Sequence, residues 1–281
     1  MMTKKEICIV IPIYKECLND YEIQSVEQCI LVLSDYVIYF VAPNGLNLDF
    51  YKSKFKSIEH YAFFDECYFK NLAGYNRLLL SPFFYDRFHN YKYMLVYQTD
   101  CYVFRDELLE WANKDYDYLG GIWFENYTSN PYEGAKLWHA GNGGLSLRKI
   151  KSISKMLSSK KPVKKFKELF TETKKLRNIG RKSYLKSLIL FPFHFLGYKN
   201  NISYLSKNYQ LNEDGFIVNT TAKLKSFKIP NVEKSIAFSW DRHPEYLLNL
   251  TNKLPFACHA WYREDYPYEG NKEFWLKHIL K

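Results

Sequence analysis

The chain has 281 residues, of which 47% are hydrophobic and 25% charged, and this ordinary globular composition fits one well-cored domain with an elaboration. Its formal net charge of +10 is local, because thirteen Lys and Arg residues against two acids lie between Lys151 and Lys186 and the remainder is close to neutral. Aromatic residues, 19% of the chain, are spread throughout. Basicity confined to one segment argues against a nucleic-acid-binding protein, so we expect no nucleic-acid partner.

The cysteines and the apolar runs indicate the compartment. The six cysteines form no Cys-x-x-Cys pair and mostly lie in apolar stretches, which is typical of reduced thiols in a cytosolic protein. The apolar run near the N-terminus is interrupted by Pro12, and the run from Leu188 to Leu196 is broken by Pro192 and His194. Both runs are too short to cross a bilayer, so we expect a cytoplasmic protein with neither a signal peptide nor a spanning helix.

The first half of the chain alternates between strand and helix patterns. Ile7 to Ile11 is a short, continuously apolar, β-branched run, typical of a parallel strand buried on both faces. The sequence then predicts, in chain order, a helix over Tyr21 to Leu33, strands over Tyr36 to Val41 and Ser57 to Phe63, a helix over Lys70 to Leu80, a strand over Tyr93 to Tyr97, and a helix over Asp106 to Asn113 with Asp106 as its N-cap. This alternation predicts an α/β fold with a mostly parallel sheet, in which ligands bind beyond the carboxyl ends of the strands.

The second half is less regular. We expect a glycine-rich segment over Gly141 to Gly144, a basic helical stretch, a helix from Glu213 to Lys225, and short strands over Ser226 to Ile229 and Ile236 to Ser239. No Gly/Ser linker is long enough to separate domains. We therefore expect a single domain over residues 1–281.

Asp100 is the first candidate for chemistry. It ends the segment Tyr97-Gln98-Thr99-Asp100, directly after a predicted buried strand, and apolar residues follow it. A carboxylate held in that place can bind a Mg²⁺ or Mn²⁺ ion that bridges a diphosphate. The alternative is that Asp100 caps a turn or a helix.

The glycine-rich block Gly141-Asn142-Gly143-Gly144 follows Trp138 and His139. Paired glycines let the backbone approach a ligand closely, and their amides can donate to hydroxyls or phosphate. A tight turn would explain the glycines alone. The stacking and hydrogen-bonding groups of Trp138, His139 and Asn142 fit a sugar.

Two later segments carry ionisable side chains. Glu213 and Asp214 open a predicted helix, where acids are also ordinary partners of the helix dipole. In a catalytic interpretation, one of them is the general base that removes a proton from an acceptor hydroxyl. His259 is a lone histidine after an apolar run, and such histidines are usually structural.

Six blocks of the chain match a known pattern together. They are Ile9-Val10-Ile11-Pro12-Ile13-Tyr14-Lys15, Gly74-Tyr75-Asn76-Arg77-Leu78, Tyr97-Gln98-Thr99-Asp100, Asp115-Tyr116-Asp117-Tyr118-Leu119-Gly120, Gly141-Asn142-Gly143-Gly144-Leu145-Ser146-Leu147-Arg148 and Asn212-Glu213-Asp214. With these blocks the chain resembles glycosyltransferases with the GT-A type of nucleotide-sugar-binding fold, in particular a bacterial glycosyltransferase-like family catalogued mainly as a domain of unknown function. The block from Gly141 to Arg148 is the most specific.

The resemblance implies a single GT-A like domain with a Rossmann-like sheet flanked by helices. Residues 1–125 would form the nucleotide-binding half, residues 126–150 and 206–281 the donor-sugar and acceptor half, and residues 151–205 a basic helical insertion. The implied activity is transfer of a sugar from a nucleotide-sugar donor to a hydroxyl of a glycan or lipid-linked acceptor, in bacterial surface polysaccharide synthesis. The alternative is a non-catalytic or nucleotidyl-transferring nucleotide-sugar-binding protein.

The resemblance also implies roles for single residues. Asp100 is similar to the last acid of an Asp-x-Asp metal motif and His259 to a late metal-binding histidine, which implies a divalent cation, Mn²⁺ or Mg²⁺, as cofactor. Asp214, beside Glu213, is similar to the catalytic base of inverting members. The implied donor-binding residues are Pro12, Tyr14, Tyr75, Asn76, Gln98, Asp100, Asn142, Gly143 and Gly144.

Gln98 departs from the metal motif, because it stands where the motif has its first acid. One strong oxygen ligand, Asp100, then remains. Lys15, Arg77 or Arg148 could neutralise part of a diphosphate instead, since a guanidinium fork matches phosphate oxygens.

The basic segment has two interpretations. Lys161 to Lys186 interleaves cations with Val, Phe, Leu and Tyr, and an apolar run from Leu188 follows. Such a stretch can lie on an anionic membrane, which would place the protein at the inner face of the membrane through residues 151–196, near a lipid-linked acceptor. The alternative is a solvated helical excursion.

Overall fold

Strands and helices alternate through the computed structural model, which describes residues 2–127, 130–221, 224 and 226–279. Its strands are β1 (Ile7–Pro12), β2 (Val37–Pro43), β3 (His60–Phe64), β4 (Tyr93–Tyr97), β5 (Tyr102–Val103), β6 (Tyr118–Phe124), β7 (Leu137–Lys149), β8 (Ser239–Trp240) and β9 (Ala257–Cys258). Its helices are α1 (Asp20–Val32), α2 (Asp49–Lys54), α3 (Leu72–Leu79), α4 (Pro82–Asp86), α5 (Leu108–Asn113), α6 (Ile150–Leu157), α7 (Phe166–Leu176), α8 (Arg181–Phe195), α9 (Ile202–Lys207), α10 (Glu213–Thr221), α11 (Val232–Ser235), α12 (Pro244–Thr251) and α13 (Asn271–Ile279).

Within the described residues, the main sheet has six strands in the order β3-β2-β1-β4-β7-β6. β1 pairs in parallel with β2 and β4, and β2 pairs in parallel with β3. β7 runs antiparallel to both of its neighbours, β4 and β6. The predicted α/β fold with a mostly parallel sheet flanked by helices is confirmed.

The side chains of β1 show why this sheet forms. Ile7, Ile9 and Ile11 are buried in the core on one face of the sheet, and Cys8 and Val10 are buried in the core on the other. Both faces are covered, so the strand is continuously apolar and does not alternate with polar residues. Fully burying an aliphatic side chain of this size contributes about 1.5–3 kcal/mol.

Helix α1 covers the first face of the sheet, and its start is fixed by a capping box. The Asn19 side chain accepts a hydrogen bond from the Glu22 backbone N–H at 2.9 Å, and the Glu22 carboxylate accepts one from the Asn19 backbone N–H at 2.9 Å. Val26 and Cys29 of α1 are buried in the core. The second face is covered by side chains from α3, α4, α6 and α10.

A smaller sheet has the order β5-β9-β8 and lies beside the carboxyl end of the main sheet's central strands. β9 pairs antiparallel with β5 and parallel with β8. Fully buried Trp240, Trp261 and Trp275 pack around it. The sheet matters for the site because Asp241 directly follows β8 and His259 directly follows β9.

The basic segment divides into a buried and an exposed part. Ile153, Met156 and Leu157 of α6 belong to the core, so the exposed elaboration begins after residue 157. Helices α7 and α8 then form a helical hairpin, residues 166–195, in which no residue of α8 is buried. Contacts between α7 and α8 hold the hairpin together. Leu169 and Thr173 are the buried residues of α7.

The predicted cap of α5 is wrong. Glu107, not Asp106, occupies the N-cap position of this helix. The Asp106 carboxylate instead accepts hydrogen bonds from the Lys4 ammonium and the Tyr36 hydroxyl. A capping pattern in sequence cannot reveal partners that are this distant along the chain.

The predicted second-half strands are also partly wrong. Residues 226–229 form no strand, because the backbone N–H of Lys228 donates to the Asp117 carboxylate and its carbonyl accepts from the Asp117 backbone N–H. The predicted strand over 236–239 is reduced to β8, which starts at Ser239. Helix α10 ends at Thr221, and residues 222, 223 and 225 of the predicted helix lie outside the described residues.

The cysteines and the helix lengths were both subjects of expectation from the sequence. All six cysteines are free, and Cys8, Cys29, Cys101 and Cys258 are buried, as expected of thiols that act as small hydrophobic side chains. Among the described helices, none combines the length and the apolar character that crossing a bilayer requires.

Candidate active site

A cleft of about 570 Å³ opens at the carboxyl ends of β1 and β4. These strands are neighbours, but the chain leaves β1 toward β2 and returns to β4 on the other side of β1. Such a reversal of strand order creates the crevice in which open α/β sheets bind ligands. The cleft is lined by Pro12, Tyr14, Lys15, Glu22, Phe69, Lys70, Asn71, Leu72, Tyr75, Gln98, Thr99, Asp100, Tyr262 and Arg263.

Cationic side chains lie along this cleft. Among the described lining residues they are Lys15, Lys70 and Arg263. The Lys15 ammonium lies 2.8 Å from the buried Glu22 carboxylate, and Arg263 donates to Asp265 at 2.9 Å. Both cations are therefore held in place and still face the cleft. The described lining also contains the carboxylates of Glu22 and Asp100, so three cations against two acids leave a net positive charge, which suits an anionic ligand such as a diphosphate.

Asp100 stands at the end of a chain of polar side chains. The Nδ1 atom of His259 lies 2.6 Å from the Asp241 carboxylate, and its Nε2 atom lies 3.3 Å from the Asp100 carboxylate and 3.2 Å from Gln98 Oε1. The other oxygen of Asp241 accepts a hydrogen bond from the Asn142 side chain at 3.0 Å. The arrangement fixes the orientation of the imidazole between two carboxylates.

These contacts determine the charges of Asp100 and His259. Burial alone would lower the pKa of His259, but the nearby Asp100 and Asp241 carboxylates outweigh burial and raise the pKa to about 10. Burial alone would raise the pKa of Asp100, but His259 outweighs it and holds this pKa below its ordinary value. At neutral pH the pair is therefore an imidazolium and a carboxylate.

Asp100 and His259 are also the side chains that could hold a divalent cation. Because His259 Nε2 and Asp100 Oδ1 lie 3.3 Å apart, a bound ion would replace the proton on Nε2, and Asp241 would orient the imidazole from its other nitrogen. In the described part of the chain, no group of three or more His, Cys, Asp and Glu side chains could hold a metal ion. The donors present fit Mn²⁺ or Mg²⁺ as a partial shell that phosphate oxygens and water would complete.

The glycine block lies on β7, between the Asp100 end of the site and helix α10. A Cβ atom on Gly144 would lie 2.2 Å from His259 Nε2, and one on Gly143 would lie 2.5 Å from Glu213 Oε1. The Gly144 backbone N–H donates to Asn142 Oδ1 at 3.0 Å. These glycines are required because the strand backbone packs directly against ionisable side chains on both sides.

Substituting Gly144 tests this packing. We expect Gly144→Ala to lower the free energy of unfolding by about 1–3 kcal/mol, because the added methyl group displaces His259 from a filled position. Urea denaturation measures the change. In the matched control Gly215→Ala, the new Cβ would meet its nearest atom at 3.6 Å, and no loss of stability is expected. An unchanged unfolding free energy in Gly144→Ala would show that His259 does not pack on Gly144.

Arg148 is fully buried and does not reach the cleft. Its guanidinium donates to the Glu213 carboxylate at 2.8 Å, the Tyr85 hydroxyl at 2.9 Å and the Ser146 hydroxyl at 2.9 Å. The suggestion that Arg148 neutralises a diphosphate is therefore wrong. It instead fixes the start of α10 by pairing with Glu213, and a buried pair of this type is strongly destabilising to break.

Asp214 is the second carboxylate of the site. It accepts hydrogen bonds from the backbone N–H groups of Gly143 at 3.0 Å and Gly215 at 2.6 Å. Burial and the neighbouring Glu213 charge raise the pKa of Asp214 to about 7, although the two backbone donors and Arg148 act in the opposite direction. A carboxylate with this pKa can take up and release a proton near neutral pH.

The structure brings most of the predicted donor-binding residues to one place. Those that line the cleft are Pro12, Tyr14, Tyr75, Gln98 and Asp100. Asn76 is buried and does not line the cleft. Its side-chain amide donates a hydrogen bond to the Asn212 side chain and accepts one from the Glu213 backbone N–H. Asn142, Gly143 and Gly144 also lie behind the cleft wall, on β7. Arg77 is exposed and does not line the cleft.

Sequence inspection missed several residues of the site. Asp241 orients His259, Glu22 holds Lys15, and Tyr262 and Arg263 form one wall of the cleft. Asp241 ends an apolar run that becomes β8, just as Asp100 ends β4. The same criterion of a carboxylate after a short apolar run could have found it. The positions of Glu22 and Arg263 depend on tertiary packing and give no local signal.

The model of a family described as "Protein of unknown function (DUF5672)" matches residues 59–259 of the chain. No curated protein matches the chain. The matched range contains most of the site, including Tyr75, Asp100, Asp214 and His259, and leaves out β1.

Solved structures are similar at low identity. Mouse xyloside xylosyltransferase 1, in its apo form, is 9% identical, with 89% of this chain and 96% of that chain covered at a TM-score of 0.44. The mannosyltransferase Ktr4p from S. cerevisiae in complex with GDP is 12% identical, with 75% and 68% covered at a TM-score of 0.41. Core-mannan synthase A from Aspergillus fumigatus, in a Mn/GDP form, is 10% identical, with 75% and 71% covered at a TM-score of 0.39. These similarities are too weak to argue for a donor, a metal or an acceptor.

Proposed function

We propose that this chain, which belongs to the family described as protein of unknown function (DUF5672), is a glycosyltransferase that uses a nucleotide-sugar donor. The observation that carries the proposal is the layout of the site. A cleft with cationic walls and Asp100 lies at the switch point of the sheet, and Asp214, with a pKa of about 7, is connected to it through Gly143 and Gly144. An anion site joined to a general base suits group transfer from a diphosphate leaving group.

The donor diphosphate is assigned to the cleft beside Asp100. Lys15, Lys70 and Arg263 would neutralise its negative charge, which grows as the leaving group departs. A divalent cation held by Asp100 and His259, when bound, would supply further charge neutralisation at the diphosphate. Tyr14 and Tyr75 line the same cleft and offer apolar ring surface and hydroxyls to the nucleoside.

In the proposed transfer step, Asp214 is the base that receives the proton of the acceptor hydroxyl. The acceptor hydroxyl oxygen forms a bond to the anomeric carbon of the donor sugar, and the bond from that carbon to the diphosphate oxygen breaks. The diphosphate leaves with the bonding electron pair, and Asp214 accepts the hydroxyl proton. Attack opposite the leaving group gives inversion. Glu213 cannot readily share this role, because its carboxylate is paired with Arg148.

The acceptor is assigned to the surface beside Asp214. The rings of Tyr127 and Trp138 are partly exposed and their centroids lie 4.9 Å apart. The Tyr127 hydroxyl accepts from the Asn219 side chain at 3.1 Å, and the Tyr127 and Tyr209 hydroxyls both lie within van der Waals reach of a Cβ placed on Gly215. Ring faces with amide and hydroxyl groups at their edges suit a glycan.

The biological setting is part of the same proposal. We assign the protein to the cytoplasm, at the inner face of the membrane, in bacterial surface polysaccharide synthesis, with a glycan or lipid-linked acceptor. The basic segment supports this setting, because an enzyme that modifies lipid-linked acceptors must work beside anionic headgroups.

A donor panel tests the proposed reaction. The protein is incubated with UDP-, GDP- and CDP-linked sugars and Mn²⁺, with water as the acceptor in place of the glycan, and products are separated by chromatography. We expect slow release of a nucleoside diphosphate and free sugar from one nucleotide class. Formation of pyrophosphate from a nucleoside triphosphate and a sugar phosphate would instead show nucleotidyl transfer and contradict the proposal.

A further inference from the structure

The α7–α8 hairpin exposes apolar side chains that the other described residues leave uncovered. Ile179 in the turn between the two helices is 74% exposed, Ile189 in α8 is 71% exposed, and Leu196 just after α8 is 78% exposed. Leu185, Leu188 and Phe193 are also exposed, as are several further rings between residues 166 and 198. A soluble surface rarely concentrates so many large apolar groups in one place unless the patch binds something.

These side chains form one face of α8. Leu185, Leu188, Ile189, Phe193 and Leu196 are spaced by three, one, four and three residues, so they share a stripe on the helix. The stripe runs from the second turn of α8 to Leu196, the residue that follows the helix.

The opposite face of α8 packs against α7. The Ser187 and Thr173 hydroxyls are hydrogen-bonded at 3.0 Å, and the Phe191 ring lies 5.1 Å from the Phe166 ring. The hairpin is therefore a structured element with one side used for packing. The apolar stripe is the side that this packing leaves free.

The charge around this stripe has one sign. Residues 174–198 contain six Lys and Arg residues and no acid. On α8 itself, Arg181, Lys182 and Lys186 lie in the first two turns, beside the start of the stripe. Cations next to aliphatic and aromatic side chains match a lipid surface, which offers anionic headgroups above an apolar layer.

We propose that the outward face of α8 docks on an anionic membrane, with Leu185, Ile189 and Phe193 in the boundary between headgroups and acyl chains and Arg181 and Lys182 on lipid phosphates. Fifteen residues of helix measure about 22 Å, which is shorter than the roughly 30 Å hydrocarbon core, so the helix lies along the surface. Helix α6, whose apolar side is buried in the core, takes no part. The contact specifies the membrane setting given under the proposed function and rests on that part of it, but it does not depend on the proposed transferase reaction.

Vesicle co-sedimentation of the full chain tests this contact without turnover. Wild-type protein is mixed with vesicles of phosphatidylcholine alone or of phosphatidylcholine with phosphatidylglycerol, at low salt. We expect sedimentation with the anionic vesicles only, and release near 1 M salt, where the screening length falls to about 3 Å. Replacing Arg181 and Lys182 by Gln should weaken partitioning about 25-fold, because each cation near the surface contributes a factor of roughly five.

The apolar face is tested with the double variant Leu185→Asp, Ile189→Asp. We expect partitioning to fall at least about tenfold, while circular dichroism shows an unchanged fold because both side chains are exposed. The matched control is Leu31→Asp, Leu250→Asp, since these leucines are 75% and 53% exposed outside the hairpin and their replacement should leave partitioning unchanged.

Three results would overturn the proposal. They are no binding of wild type to anionic vesicles at low salt, equal binding to neutral vesicles, and equal loss in the hairpin and control variants. If sedimentation equilibrium instead shows dimers that the hairpin variant separates, the face is a contact between copies of the chain. The proposed reaction would survive any of these results, because the donor panel measures it in the absence of lipid.

Discussion

Asp214→Asn is expected to lower kcat by about 10²–10⁴-fold, the range that loss of a positioned general base produces. The amide can still accept from the Gly143 or Gly215 backbone, so the local geometry is largely kept, but it cannot take up the proton of an acceptor hydroxyl. Release of nucleoside diphosphate from the donor found in the panel measures kcat. The binding constant for the nucleoside diphosphate should stay close to that of wild type.

The pH profile distinguishes a base from a merely structural carboxylate. The pKa of Asp214 is raised to about 7, so kcat/KM should fall as the pH drops below 7 and level off above it. The ionisable groups that face Asp214 are Glu213, Arg148, Tyr118 and Tyr209. In Asp214→Asn this dependence should vanish. A profile that stays the same in the variant would show that another group titrates.

Asp35→Asn is the matched control for the carboxylate-to-amide change. Asp35 is exposed just before β2, at the amino end of this strand and therefore opposite the cleft, and it pairs with Lys4. Its replacement should change neither kcat nor the pH profile. Wild-type turnover in Asp214→Asn would remove the proposed base.

Asp100→Ala is the second large expected effect, with a loss in kcat of about 10²–10³-fold. The substitution removes the carboxylate that faces the cleft, and it leaves Gln98 Oε1 as the remaining partner of His259 Nε2. Nucleoside diphosphate release is again the measurement, across a range of Mn²⁺ concentrations. If the carboxylate binds a cation, added Mn²⁺ should recover less activity in the variant than in wild type.

Asp241→Asn separates a direct role of Asp100 from a role in holding His259. Asp241 touches the imidazole from its Nδ1 side and does not line the cleft. A partner of this kind typically changes metal affinity or activity by about 10–100-fold. The smaller loss is therefore expected in Asp241→Asn. Equal turnover of wild type and Asp100→Ala at every Mn²⁺ concentration would show that the Asp100 carboxylate has no part in the reaction.

The sequence predicted strands β1 to β4 of the central sheet, and β1 and β4 are the clearest because they are buried on both faces. Continuous apolar runs such as Ile7–Pro12 and Tyr93–Tyr97 have no solvated side, so composition alone marks them. β7 is different. Its antiparallel pairing with β4 and β6 depends on contacts across the sheet, and its glycines resemble a turn when only the sequence is considered.

The candidate site was predicted in part for a similar reason. Asp100 and His259 each follow an apolar strand, and the two side chains meet because both strands end at the same place. Arg148 was one of three cations suggested for a diphosphate because a guanidinium fork matches phosphate oxygens, whereas here it is buried against Glu213. The raised pKa of Asp214 follows from the burial and the close approach of Glu213, which only the fold creates.

The central claim is that the cleft beside Asp100 binds a nucleoside diphosphate, and a thermal-shift panel tests it most directly. UDP, GDP, ADP and CDP are added to wild type and to Asp100→Ala, with and without Mn²⁺. A ligand that binds only the folded state raises the unfolding midpoint. At a hundredfold excess over its Kd, such a ligand adds about 2.7 kcal/mol to the free energy of unfolding. We predict that one nucleotide raises the midpoint of wild type in the presence of Mn²⁺ and that the rise is largely lost in Asp100→Ala. No rise with any nucleotide, or equal rises in both proteins, would contradict the account.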